Sequence, residues 1–322
     1  MNFFKYIKAV GTGPKSNRDL TKEEIKEAIE AILEKKCESE QSAAFLMLLR
    51  VKLESDDELK GCLETFDKYI QRESIAESIE LGYSYDGKTN QPYLFPLYAS
   101  VLKDFFNRNK EIEPFEIVIS GDKLQPAKAG LTVKDVANAV ELDEKIHFFD
   151  RANYFKELSE LTYLRKKLYM RTIFNTVEKL LNPANSKYAI TSAFHRPYVE
   201  KYRKLFASNY EKLLIIKGSE GACEVFNDFK YWVDIDGEVI EKTIKLNDLG
   251  INYTDTYENI TLEENISIIN NPSAELMKIV KLNVAILLFS TNRVESIEKA
   301  YEMLNNKGCC ITNFFKKLFF IK

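Results

Sequence analysis

The sequence predicts an α/β fold in which a small, all-helical N-terminal domain precedes a large domain of alternating strands and helices. Through residues 21–66, apolar side chains recur at helical spacing, and short charged connectors separate the segments. After Tyr69, short apolar strands that end in glycine turns alternate with helical stretches, a pattern typical of an α/β domain. We therefore expect a helical domain at residues 1–68 and an α/β domain at residues 69–322.

The composition indicates a folded protein without a membrane span. The chain has 322 residues, 45% of them hydrophobic, and its 46 Lys and Arg nearly balance 49 Asp and Glu, for a net charge of −3. The longest uncharged apolar run, about Leu282 to Thr291, is much shorter than the roughly 18 residues of a membrane-spanning helix. The opening residues MNFFKYIKAV lack the apolar core of a secretory signal, so we expect a cytoplasmic protein.

Three helices are predicted in the N-terminal domain. Thr21 followed by Glu24 is a capping box, which predicts a helix that begins just after Thr21. A second helix is expected to run from Ser39 through the apolar stretch AAFLMLLRV. Asp56 or Asp57 is the expected cap of the third helix.

The α/β domain is predicted from two strands and the helical stretches around them. Residues 117–119 form a short strand that ends in Ser-Gly-Asp, and LLIIKG at 213–218 has the continuous apolar character of a buried parallel strand. Helical periodicity is present at 94–107, 133–141, 158–181, 275–289 and 294–304.

Two loops are candidate ligand sites. Gly82 to Thr89 (GYSYDGKT) combines glycines, a lysine and a hydroxyl ahead of a predicted helix, and such a loop can cradle an anion; the alternative is a polar turn. Lys217 to Glu224 (KGSEGACE) follows a predicted strand, where α/β sheets bind ligands. Its two acidic residues suit Mg²⁺, although a solvated loop is the alternative.

The basic charge is concentrated in one part of the chain. Residues 164–217 contain twelve Lys and Arg against three Glu, a net charge of +9, so the rest of the chain carries −12. The first eighteen residues add four more basic residues and no acid. This pattern predicts either a solvated helix face or a surface that binds phosphates.

Nucleophilic hydrolysis and zinc chemistry are disfavoured. The chain has only two histidines, His147 and His195, and no Gly-x-Ser-x-Gly motif. Its five cysteines lack histidine partners at zinc-site spacing. We expect a structural role for His195 and a core position for Trp232.

The stretch Arg165 to Ala184, RKKLYMRTIFNTVEKLLNPA, resembles a segment of the anthranilate phosphoribosyltransferases and their relatives in glycosyltransferase family 3. Residues 18–21 and 49–52 resemble the small dimerising domain of that family. Residues 215–225 resemble its strand and metal loop, and 282–285 its C-terminal helix. The resemblance covers nearly the whole chain. It implies a homodimer with a large α/β domain of the nucleoside phosphorylase and phosphoribosyltransferase type.

The chain departs from the family pattern at the substrate-binding motifs. Where the family has Gly-Thr-Gly-Gly-Asp, this chain has Gly-Tyr-Ser-Tyr-Asp at 82–86, and Lys-His-Gly-Asn-Arg is replaced by Ile-Ser-Gly-Asp-Lys at 119–123. The acidic metal pair becomes Cys223 and Glu224, so Glu224 is the one metal ligand that the resemblance retains. The resemblance thus implies a degenerate phosphoribosyl pyrophosphate site that comprises Gly82, Asp86, Gly87, Lys88, Thr89 and Lys123.

These departures resemble a side branch of the family that lies outside tryptophan synthesis and binds DNA or RNA through a basic groove. Residues 192–224 are similar to that branch in particular. The resemblance and the +9 segment together predict a protein that binds nucleic acid without strong sequence preference and needs no cofactor. The expected phosphate contacts are Lys8, Lys15, Arg18, Arg165, Lys166, Lys167, Arg171, Arg196, Arg203 and Lys204.

Two alternatives remain open at this point. One is an active, Mg²⁺-dependent pentosyl or phosphoribosyl transferase that uses phosphoribosyl pyrophosphate and an acceptor other than anthranilate. The other is a regulatory dimer whose basic surface binds an acidic protein. The final residues, Cys309 to Lys322, depart from the family pattern, and the sequence assigns them no role.

Overall fold

The computed structural model describes residues 2–126, 129–235 and 238–306. It has an N-terminal helical domain followed by a large α/β domain built on one mixed sheet, as the sequence predicts. The segment from Cys309 to Lys322 lies outside the described residues.

The helical domain contains α1 (Phe4–Gly11), α2 (Lys22–Leu33), α3 (Ser39–Lys52) and α4 (Asp56–Asp67). The predicted capping box is confirmed: the Thr21 hydroxyl accepts a hydrogen bond from the Glu24 N–H at 3.2 Å, and the Glu24 carboxylate accepts from the Thr21 N–H at 3.0 Å. The predicted cap of α4 is wrong by one residue. Ser55 is the cap, because its hydroxyl accepts from the Glu58 N–H at 3.2 Å.

Seven strands form the sheet in the order β3-β2-β1-β4-β5-β6-β7. The first five strands in this order are parallel, and β6 and β7 add an antiparallel edge. The strands are β1 (Ser78–Gly82), β2 (Glu116–Gly121), β3 (Ile146–Asp150), β4 (Tyr188–Ser192), β5 (Lys212–Ile216), β6 (Phe229–Ile235) and β7 (Glu238–Ile244). The chain leaves β1 toward β2 and leaves β4 toward β5, so the topology reverses between β1 and β4. Ligands bind at such a point in open α/β sheets.

Ten helices accompany the strands within the described part of the α/β domain. They are α5 (Tyr98–Arg108), α6 (Val133–Ala139), α7 (Arg151–Tyr154), α8 (Lys156–Glu160), α9 (Thr162–Leu168), α10 (Ile173–Val177), α11 (Arg196–Phe206), α12 (Leu262–Asn270), α13 (Ala274–Ser290) and α14 (Ile297–Asn305).

The helical region expected at 158–181 is divided into short helices. Tyr169 takes a left-handed conformation with φ of 54° and ends α9. Thr172 is extended, and the Asn175 side chain accepts a hydrogen bond from its N–H at 3.0 Å, which starts α10. Residues 169–172 therefore form a non-helical segment between α9 and α10.

Two hydrophobic cores lie on opposite faces of the sheet. Along β5, Leu214 and Ile216 belong to one core and Ile215 to the other, as alternation along a strand requires. The second core also contains the helical domain, whose Phe66 ring lies 5.0 Å from the ring of Phe155 and 5.4 Å from that of Phe174. The two domains therefore share one core.

None of the helices in the described ranges is both long and apolar enough to cross a membrane.

Candidate functional site

A cleft of about 550 Å³ lies at the carboxyl ends of β1 and β4, between the helical domain and the α/β domain. The end of α3 supplies Arg50 to one wall, and the segment between α9 and α10 supplies Arg171. Arg50 donates to the backbone oxygen of Arg171 at 2.5 Å, which ties these two walls together. Phe194 and Tyr198 also line the cleft.

The loop after β1 contributes Ser84, Tyr85 and Asp86 to the lining of this cleft. A side chain at Gly82 would bring its Cβ within 2.9 Å of the Lys179 backbone oxygen, so only glycine fits. Gly87 has φ of 81° and also needs glycine. Asp86 is buried, and its Oδ2 accepts from Arg171 Nε at 3.1 Å. Its other oxygen, Oδ1, is buried without a hydrogen-bond partner among the described residues.

Lys88 and Glu224 form an ion pair in the protein interior. Both side chains are fully buried, and Lys88 Nζ donates to Glu224 Oε2 at 2.8 Å and to the Pro92 carbonyl at 2.6 Å. The other oxygen of Glu224 accepts from the Tyr83 hydroxyl at 2.8 Å and the Tyr98 hydroxyl at 3.0 Å. The Lys88 ammonium, which was expected to contact a bound anion, is therefore buried and neutralised by Glu224.

The contacts of Glu224 in this structure do not fit the metal-ligand role expected of it. Protein donors engage both carboxylate oxygens, and a lysine ammonium neutralises the charge that Mg²⁺ would need. The neighbouring Cys223 is buried, and burial raises the pKa of its thiol well above the usual value. The described ranges contain no group of three or more His, Cys, Asp or Glu side chains placed to hold a metal.

The Glu220 carboxylate binds the loop that begins at Thr89. Its Oε2 accepts from the Thr89 N–H at 2.7 Å and the Thr89 hydroxyl at 3.0 Å, and its Oε1 accepts from the N–H groups of Asn90 and Gln91, each at 3.0 Å. Sequence reasoning located the loop but missed this contact. The signal available was an acidic residue between two glycines after a strand.

A second buried charge network fills the space beside β2. Arg151 Nε donates to Asp122 Oδ2 at 2.6 Å, and its Nη1 donates to Glu178. Arg165 donates to the two oxygens of Glu178 at 2.7 Å each. The expected phosphate contact of Arg165 does not fit this geometry, because the guanidinium is only 1% exposed and is already paired with Glu178. By contrast, Lys123 is exposed.

The remaining predicted cations differ in how far they are already paired. Arg18 donates to both oxygens of Glu24 at 2.6 Å, Arg203 pairs with Asp234 at 2.8 Å, and Lys204 pairs with Asp56 at 2.6 Å. The predicted cations that are exposed and lack an ion pair with any described residue are Lys8, Lys15, Lys166, Lys167 and Arg196.

Neither the two histidines nor the single tryptophan has an unusual environment. His147 Nε2 lies 3.1 Å from Glu116 Oε2, and His195 is exposed at the cleft. Trp232 is buried, which confirms the prediction, and its Nε1 donates to Glu241 at 3.0 Å.

Two family models match the chain. Residues 5–69 match the helical bundle domain of a glycosyl transferase family, and residues 120–307 match the α/β domain of the same family. The chain belongs to this glycosyl transferase family.

Relatives within the family cover most of the chain. An uncharacterized protein of Aquifex aeolicus is 32% identical over 294 residues, which are 88% of this chain and 91% of that protein. An anthranilate phosphoribosyltransferase of Saccharolobus islandicus is 26% identical over 302 residues, which are 88% of this chain and 86% of that enzyme.

The fold also matches solved structures of the family. The anthranilate phosphoribosyltransferase of Thermus thermophilus superposes with a TM-score of 0.71 at 16% identity, covering 94% of this chain and 93% of that one. The Saccharomyces cerevisiae enzyme, in complex with PRPP and Mg, superposes with a TM-score of 0.71 at 14% identity, covering 94% and 92%. The residues described above do not fit those ligands: Glu224 faces Lys88, and Glu220 occupies the N–H groups that begin at Thr89.

Proposed function

We propose that this protein binds nucleic acid along the cleft, without strong sequence preference, and does not transfer phosphoribosyl groups. The observation that carries this proposal is that Glu220 occupies the backbone N–H groups that begin at Thr89, and Lys88 neutralises Glu224, so neither is open to an external ligand. The exposed cations Lys8, Lys15, Lys166, Lys167 and Arg196, which have no ion pair with a described residue, can contact phosphates at the surface.

The cations on the cleft side suit a chain of phosphates. The Arg171 side chain is 49% exposed despite its contact with Asp86. Lys166 and Lys167 lie on α9, just before the segment that carries Arg171 into the cleft, and Arg196 begins α11, directly after the cleft residues Phe194 and His195. Each phosphate that these groups contact would release a counterion, which gives affinity independent of base sequence.

Aromatic side chains at the same cleft favour nucleic acid over an acidic protein partner. Phe194 is 65% exposed and Tyr198 is 40% exposed, and both line the cleft. Lys217 Nζ lies 5.1 Å above the Phe194 ring. Any base can stack on an exposed aromatic ring, because every base has a π face. A carboxylate of an acidic protein partner has no such face.

A salt series with Lys166→Glu and Lys167→Glu tests this proposal. Anisotropy with labelled DNA and RNA oligonucleotides, single- and double-stranded, should give a linear fall of log K with log salt concentration. The double variant should weaken binding to all sequences alike and reduce the slope by about 2. Lys103→Glu, at an exposed position on α5, changes charge elsewhere and should have a smaller effect. Affinity that is absent at low salt or insensitive to salt would overturn the proposal.

We also propose a homodimer that forms through the helical domain. Phe4 on α1 is 60% exposed and Val51 at the end of α3 is 75% exposed, although both are apolar. Light scattering should give a dimer mass, and Phe4→Glu should shift it toward the monomer. A monomer mass for the wild type would contradict this.

A Mg²⁺-dependent transferase with another acceptor is the second candidate. The observation that favours it is the 26% identity to a named anthranilate phosphoribosyltransferase over most of both chains. Incubation with phosphoribosyl pyrophosphate, Mg²⁺ and a panel of aromatic amines would release pyrophosphate if this candidate were correct. Such release would replace the nucleic-acid proposal.

A further inference from the structure

The contact between Glu220 and the loop at 89–91 has the form of an anion complex. Three consecutive backbone N–H groups and the Thr89 hydroxyl donate to one carboxylate, at 2.7 to 3.0 Å. Successive N–H groups that converge in this way form a nest, whose partial positive charges select anions. A phosphate group presents oxygens to the same donors.

The Glu220 backbone is held in an unfavourable conformation. Its φ is 53°, in the left-handed region that residues with a side chain rarely adopt. Glycines at 218 and 221 surround it, and a Cβ at Gly218 would come within 1.9 Å of the Ala222 backbone oxygen. The loop is therefore shaped to deliver this one carboxylate to the nest, at a cost in backbone strain.

The same loop carries one member of a buried ion pair nearby. Glu224 is neutralised by the Lys88 ammonium, and Lys88 directly precedes the nest residue Thr89. Lys88 thus neutralises Glu224, and the Glu220 carboxylate occupies the nest, where external ligands could otherwise bind.

We infer that Glu220 is a built-in occupant that closes the nest of Thr89, Asn90 and Gln91 to phosphate or pyrophosphate. Removal of this carboxylate opens the nest to an external phosphate group. The inference concerns a small anion at the nest, and it does not depend on whether the cleft binds nucleic acid.

Calorimetry of the full chain with inorganic pyrophosphate, without metal, tests the inference. The wild type should bind pyrophosphate at least tenfold more weakly than Glu220→Ala. Glu144→Ala is the matched control, because it removes one exposed acidic charge before β3 and should leave the wild-type affinity unchanged. Equal affinity in wild type and Glu220→Ala would overturn the inference.

Two further measurements test whether pyrophosphate binds at the nest itself. If Glu220→Ala is unfolded by circular dichroism, Glu220→Gln replaces it, since the amide is uncharged and has one acceptor oxygen in place of two, so pyrophosphate should displace it from the nest. Amide NMR should show that pyrophosphate shifts the Thr89, Asn90 and Gln91 resonances in the variant. Binding that leaves these three resonances unchanged would place pyrophosphate elsewhere and contradict the inference.

Discussion

Replacement of Lys88 by methionine should destabilise the protein strongly. The change leaves the Glu224 carboxylate buried without its counter-charge, and breaking a buried pair in this way costs about 3–5 kcal/mol. Glu224 keeps hydrogen bonds from two tyrosine hydroxyls and from the Leu94 N–H at 2.9 Å. These donors stabilise the lone carboxylate, so we expect the lower end of the range, about 3 kcal/mol.

Urea denaturation followed by Trp232 fluorescence and circular dichroism measures this loss. The double variant Lys88→Met/Glu224→Gln should recover part of it, because a neutral amide needs no counter-charge. Lys299→Met is the control: its partner Glu302 is one turn away and both side chains are exposed, so the expected loss is below about 0.5 kcal/mol. A loss of less than about 1 kcal/mol for Lys88→Met would refute the argument from burial.

Two other predictions concern stability. Burial raises the pKa of Glu80 to about 7, so the folded protein binds a proton that the unfolded chain releases near its ordinary pKa of 4.5. Stability should therefore fall as pH rises from about 4.5 to 7, and Glu80→Gln should flatten this slope in urea titrations; an unchanged slope would contradict it. Ser55→Ala should lower the free energy of unfolding by about 1 kcal/mol, measured by thermal denaturation, whereas Ser100→Ala on α5 should not.

The helical domain could be predicted well because its signals are local. The capping box at Thr21 and the apolar spacing that follows it depend only on neighbouring residues. Strand β1 was missed, since its sequence SIELG places Glu80 in a buried position that pairs with Tyr210, far along the chain. Strand β7 was missed because its residues are mostly exposed and polar.

For the candidate site, the sequence likewise offered only local signals. The loop from Gly82 to Asp86 was recognised from its sequence neighbourhood, and its residues Ser84, Tyr85 and Asp86 line the cleft. The burial of Arg165 could not be predicted from its residue type, because its partner Glu178 lies at the end of the next helix, α10. A net charge counted along the chain cannot separate cations that face solvent from cations that face carboxylates.

The core shared by the two domains has a consequence for how a ligand enters. Phe66 of the helical domain packs against Phe155 and Phe174 of the α/β domain, so the opposite walls of the cleft are parts of one packed interior. Packed interiors resist small displacements, and a hinge through this core would have to separate aromatic rings. We therefore expect a groove of nearly constant width, so a ligand has to fit the cleft as it stands and cannot rely on closure of one domain onto the other.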